Sequence, residues 1–84
     1  MTTLTLHPTA VRVLHEIDQF WQRHGYAPSM REIQRSAGLS SPSVADYWVK
    51  HLTERGLVRR APNRNRTVRL APGVHVITPE GVTA

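Results

Sequence analysis

The sequence predicts a mainly α domain with a small β-hairpin, built as three helices followed by a short basic two-stranded element. Three observations predict it. Apolar residues recur at helical spacing in three segments divided by turn signals, the period drops from 3.6 to 2 after Gly56, and basic residues crowd positions 50 to 70. At 84 residues the chain has enough material for one core and too little for two.

The first helix is expected to open at His7-Pro8, because a proline at the first helical position loses only an N–H that would be unpaired anyway. Ala10, Val13, Leu14, Ile17, Phe20 and Trp21 then form one apolar stripe, and Gly25 ends it. Tyr26-Ala27-Pro28 must be extended, since proline pushes its predecessor out of the helical region. A second helix starts immediately. Ser29-x-x-Glu32 is a capping box, Ile33 and Ala37 supply an inward face, and Gly38 stops the helix. Ser41-Pro42 then opens a third helix, over residues 41–55, that Gly56 closes. Beyond it "LVRRA" and "TVRL" alternate around the turn-forming "PNRNR", an antiparallel hairpin with Arg64 and Arg66 at its tip. Residues 1–70 thus form the domain, and 71–84 either add an edge strand around "VHVIT" or trail as a loose tail.

Charge placement narrows the function more than composition does. Residues 1 to 49 balance Arg12, Arg23, Arg31 and Arg35 against Glu16, Asp18, Glu32 and Asp46, whereas residues 50 to 70 set Lys50 and six arginines against Glu54 alone. One end of the domain is a footprint for a polyanion. The chain has no cysteine, which removes disulfides and thiolate metal sites. His15-Glu16-Ile17-Asp18-Gln19 begins like a zinc-protease helix but has Gln where the second histidine must stand, so no metal or other cofactor is expected. No apolar run nears the roughly 20 residues of a membrane span, and "MTTLTLHP" is unlike a signal peptide. A soluble cytoplasmic protein is expected, with no membrane partner and no small-molecule ligand evident.

Two helices joined by a tight Ala37-Gly38-Leu39 turn, the second capped by Ser-Pro and followed by a basic hairpin, define a three-helix winged helix-turn-helix. At 100° per residue, Ala45, Trp48, Val49 and Leu52 share the inward arc of the third helix, while Ser43, Tyr47, Lys50 and Glu54 face away. Recognition helices present their first turns to base edges, which makes Ser41, Ser43, Val44, Asp46 and Tyr47 the candidate base readers. Serine hydroxyls suit several bases, Asp46 can accept from cytosine N4, and Val44 or the Tyr47 ring can meet a thymine methyl. Phosphate contacts fall to Arg31, Lys50, Arg59, Arg60, Arg64 and Arg66. Strand alternation puts Arg59 and Arg60 on opposite faces, so one of the two is expected at the DNA.

The stretch "GYAPSMREIQRSAGLSSPSVADYWVKHLTERGLVRR", continued by "NRNRTVRL", resembles the N-terminal DNA-binding domain of the LexA family of SOS repressors over about residues 6 to 70. Its most specific parts are "GYAPSMREI", the "GLSS" turn and the "RGLVRR" entry to the wing. The resemblance implies a repressor of transcription that binds palindromic operators as a homodimer, with operator-reading residues on the same five positions chosen above. Full-length members carry a self-cleaving peptidase domain with a Ser-Lys dyad. Lys50 is the only lysine here and lies within the third helix, so no enzymatic activity is expected of this chain. Two other readings stay open at the level of sequence: a winged-helix protein-interaction module anchored by Tyr47 and Trp48, and a non-specific nucleic-acid binder. A buried Trp48 is the expected mark against the first.

Overall fold

The computed structural model describes residues 7–61, 64, 66–74 and 76. In chain order they form α1 (Pro8–His24), α2 (Met30–Ala37), α3 (Pro42–Glu54), β1 (Val58–Arg59) and β2 (Arg69–Leu70). Each predicted helix is present, and the strands pair antiparallel with Val58 opposite Leu70 and Arg59 opposite Arg69.

The helix boundaries follow from local chemistry. At α1, Pro8 sits in the first turn as expected, and the imidazole Nδ1 of His7 adds a cap by accepting the Thr9 amide at 3.0 Å. The capping box of α2 is complete: the Glu32 amide donates to Ser29 Oγ at 3.1 Å, and the Ser29 amide donates to Glu32 Oε1 at 2.8 Å. The turn between α2 and α3 needs a left-handed residue, and Gly38 supplies it at φ 69°. With a Cβ that conformation would be strained although open space surrounds it, so the requirement at Gly38 is conformational rather than steric. The Gln34 side chain closes the same turn by donating to the Leu39 carbonyl at 3.1 Å.

Burial fixes how the three helices meet. Ala10, Val13, Leu14 and Ile17 from α1, Ile33 and Ala37 from α2, and Ala45, Val49 and Leu52 from α3 form one cluster, which Val58 and Val68 of the hairpin join. Each helix therefore buries the stripe that its sequence period marks. Phe20 is also buried, but Trp21 is only half-buried, because its indole N–H reaches out to donate to the Val68 carbonyl at 2.8 Å. That bond fastens the hairpin to α1 across 47 residues of sequence.

The strands are shorter than "LVRRA" and "TVRL" suggest, two residues each. Arg59 stands directly opposite Arg69, and like charges in that position oppose strand pairing. The hairpin is held by other contacts: Val58 and Val68 in the core, the Trp21 bond, and the Thr67 hydroxyl accepting the Ala61 amide at 3.0 Å. Ala71 donates to the Leu57 carbonyl at 2.9 Å and Val74 turns back on Ala71, so residues 71–74 and 76 contain no strand. The rest of "VHVIT", and most of the hairpin tip around Arg64, lie outside the described residues.

Candidate nucleic-acid interface

The outward surface of α3 and the inner side of the hairpin border an open cleft of about 790 Å³, with α2 at its edge. Lys50, Arg60, Arg64 and Arg66 line it together with Asp46 and Met30. The fold thus gathers four of the seven cations that the sequence placed in residues 50 to 70 around one cleft. Arg59 is absent from this lining. It is exposed opposite Arg69, while Arg60, the residue that follows β1, turns toward Asp46 of α3.

Three of these basic side chains are engaged within the domain. Arg60 donates from Nη1 to Asp46 Oδ1 at 2.8 Å, and Lys50, one turn after Asp46, lies 3.7 Å from its Oδ2. Arg66 donates to Glu32 Oε1 at 2.7 Å, the same oxygen that receives the Ser29 amide in the capping box. Its guanidinium also sits 5.5 Å from the centre of the Tyr26 ring and 3.4 Å from the Ala27 carbonyl. Arg66 is the one non-glycine with positive φ among the described residues, at 56°. A left-handed arginine costs about 1 to 2 kcal/mol, and these three contacts offset it. The two pairs tie the hairpin to both helices of the helix-turn-helix.

Their electrostatic mark falls on the acids. The Asp46 carboxyl is held below its ordinary value chiefly by the hydrogen bond from Arg60, with the charges of Arg60 and Lys50 adding to it against a smaller burial penalty. Glu32 is lowered first by the backbone hydrogen bond from Ser29, against a burial penalty, and then by the Ser29 side chain and by Arg66. Both acids are therefore anionic at neutral pH.

The predicted base readers divide by position. Tyr47 is 61% exposed at the centre of the outward face, and Ser43 is exposed beside it. Val44 is half-buried on one flank of α3 and Asp46 half-buried on the other. Ser41 caps α3, its Oγ accepting the Val44 amide at 3.3 Å. Arg31 is exposed near the start of α2. Trp48 departs from expectation, since it is half-buried rather than buried. It lies about 70° from the centre of the arc that Ala45, Val49 and Leu52 fill completely, so its indole packs at the edge of the core. There it meets His7 at 4.9 Å, Tyr47 edge-on at 5.1 Å and His51 edge-on at 5.6 Å.

The Asp46–Lys50 pair is an i, i+4 neighbour on a helix, a spacing that is visible in the sequence. The roles of Glu32 and Arg60 beyond their local segments carried no such signal, because their partners are 34 and 14 residues away. Arg12, which reaches the Ala37 carbonyl at 3.4 Å from α1, was likewise illegible as a support for the end of α2.

Comparison with known proteins agrees with this architecture. The family model described as the LexA DNA binding domain matches residues 1–67. A LexA repressor of Frankia casuarinae is 40% identical over 74 residues, 88% of this chain and 29% of that protein. LexA repressors of Parafrankia sp. and Nocardioides sp. are 43% and 41% identical over 61 and 63 residues, covering 73% and 75% of the chain. The chain spans only 24% and 26% of those two relatives.

Proposed function

The chain belongs to the LexA DNA-binding domain family, and from that membership we propose that it is a sequence-specific double-stranded DNA-binding regulator of transcription, acting as a repressor by occlusion. Helix α3 enters the major groove and the hairpin lies along the backbone or the neighbouring minor groove. Ser43, Val44 and Tyr47 read base edges, and Ser41 contacts a phosphate while capping α3. Arg31, Lys50, Arg64 and Arg66 hold phosphates and set the register, since phosphate contacts orient a protein without carrying sequence information. Arg59, outside the cleft lining, adds long-range attraction only. The relatives' description as repressors and the palindromic operators implied by the family support a homodimer on DNA, in the cytoplasm where the nucleoid is.

The observation that carries this reading is that the outward side of α3 and the hairpin line one cleft: Asp46, Lys50 and Glu54 border it together with Arg60, Arg64 and Arg66. A duplex seated on α3 therefore meets the hairpin arginines. With about four phosphates neutralised per protomer, log K for B-DNA should fall against log[salt] with a slope of about −3.6. Fluorescence anisotropy of a labelled duplex across a salt series measures it, and a slope near zero overturns the proposal. Competition with excess random duplex separates specific from non-specific binding, because a specific regulator keeps its site.

A further inference from the structure

We propose that Arg60, oriented by Asp46, is a specificity-determining residue that reads a guanine, and that Asp46 is its positioning residue rather than a reader of cytosine. This rests on the DNA-binding reading above and assigns the chemistry at one point of it.

Asp46 has little left to offer a base. Its Oδ1 accepts a hydrogen bond from Arg60 Nη1 at 2.8 Å, and its Oδ2 faces the Lys50 ammonium at 3.7 Å. A cytosine amino group is a neutral donor and would have to compete with the charge-assisted hydrogen bond from Arg60, roughly twice as strong as a neutral one, and with the nearby charge of Lys50. The acid also stands on a helix that faces a polyanion, where a bare carboxylate would be repelled by phosphate. Paired with Arg60 and Lys50, it becomes part of a cluster with one net positive charge.

Arg60 has the complementary property. It emerges on the α3 side of the hairpin, its side chain is only 23% exposed, and it lines the open cleft. Nη1 is tied to Asp46 and lies 3.9 Å from the Met30 sulfur at the start of α2. Among the described residues, Nη2 and Nε donate to nothing. A planar guanidinium with one corner anchored and two N–H-bearing nitrogens uncommitted matches the O6 and N7 acceptors of guanine in the major groove. The anchor removes rotamer freedom before binding, which lowers the entropy cost of the contact. Arg66 lacks this arrangement on α3, since its anchor is the cap of α2.

Selection of bound duplexes from a random pool, run with the wild type and with R60Q, R60K, D46N and R64A, tests the assignment. The wild type should enrich a site with an invariant G·C pair in each half. R60Q should keep the remaining positions and lose that pair, with discrimination there reduced roughly 5- to 150-fold. R60K retains the charge and stem but not the fork, so it should lose the same pair and covers the case in which R60Q fails to fold. D46N should weaken preference at that position while tightening binding to random duplex, because a negative charge is removed. R64A should weaken all sequences alike. Unaltered preference at every position in R60K or R60Q overturns the inference while leaving the DNA-binding reading intact. A folded wild type that enriches no site overturns both.

Discussion

The seam where α1, α2 and α3 meet and the cleft between α3 and the hairpin are built from opposite materials. Nine apolar side chains on the three helices close the seam, six of them from Val13 to Leu52 larger than alanine, whereas the cleft is bridged by two arginine–carboxylate pairs. Apolar burial is non-directional and scales with area, so the seam tolerates small shifts but not lost volume. Charge-assisted hydrogen bonds are directional and contribute little net stability near the surface, so the cleft fixes orientation more than it adds to stability. The helical body and the pose of the hairpin should therefore respond to different perturbations.

The largest effect should come from the seam. Leu52 is fully buried in α3 between the other helices, and Leu52→Ala should destabilise the domain by about 2 to 5 kcal/mol, read as a lower urea midpoint. The hydrogen bond that reaches from α1 to the hairpin comes next. Trp21→Phe keeps the ring packing and removes the donor to the Val68 carbonyl, for a loss of about 1 to 3 kcal/mol. Amide exchange should accelerate at the hairpin before it does in α1, and uniform acceleration would erase the distinction between body and wing. The smallest effect should appear in the cleft. Glu32→Gln retains the capping box, since Gln also accepts at that position, but removes the charge that holds Arg66.

Acid tests the same contrast from another side. The carboxyls of Glu32 and Asp46 bind protons less readily in the folded chain than in the unfolded one. Their contribution is thus fully present above the unfolded carboxylate range and is lost as pH falls through the lowered folded values, in a window below about pH 4. In a pH series of thermal melts, the double variant Glu32→Gln, Asp46→Asn should show a shallower acid limb than the wild type. An unchanged limb would mean that neither pair is linked to folding.

Much of the molecule is legible in the chain because its causes are local. His7-Pro8, Ser29-x-x-Glu32, Gly38 and Ser41-Pro42 set helix starts and stops through neighbours within a few residues, and the 3.6 period marks each buried stripe. The exposed position of Tyr47 follows from the same period. Trp48 shows where periodicity stops being sufficient. A side chain at the margin of a stripe is buried or not according to what stands beside it, and here that neighbour is His7, 41 positions earlier, which covers one ring face.

Sequence by itself therefore determined the three helices, the hairpin, the basic side and the outward surface of α3, since each depends on spacing, capping or composition along a short stretch. Tertiary structure alone decided which cations are engaged. Arg60 meets Asp46 and Arg66 meets Glu32 only because packing of the apolar seam brings the hairpin against α2 and α3, and no local rule relates residues separated by 14 and 34 positions. The same packing decides that Arg60, rather than Arg59, is the one of the two neighbours that lines the cleft, because it is Arg60 that the docked hairpin brings to Asp46.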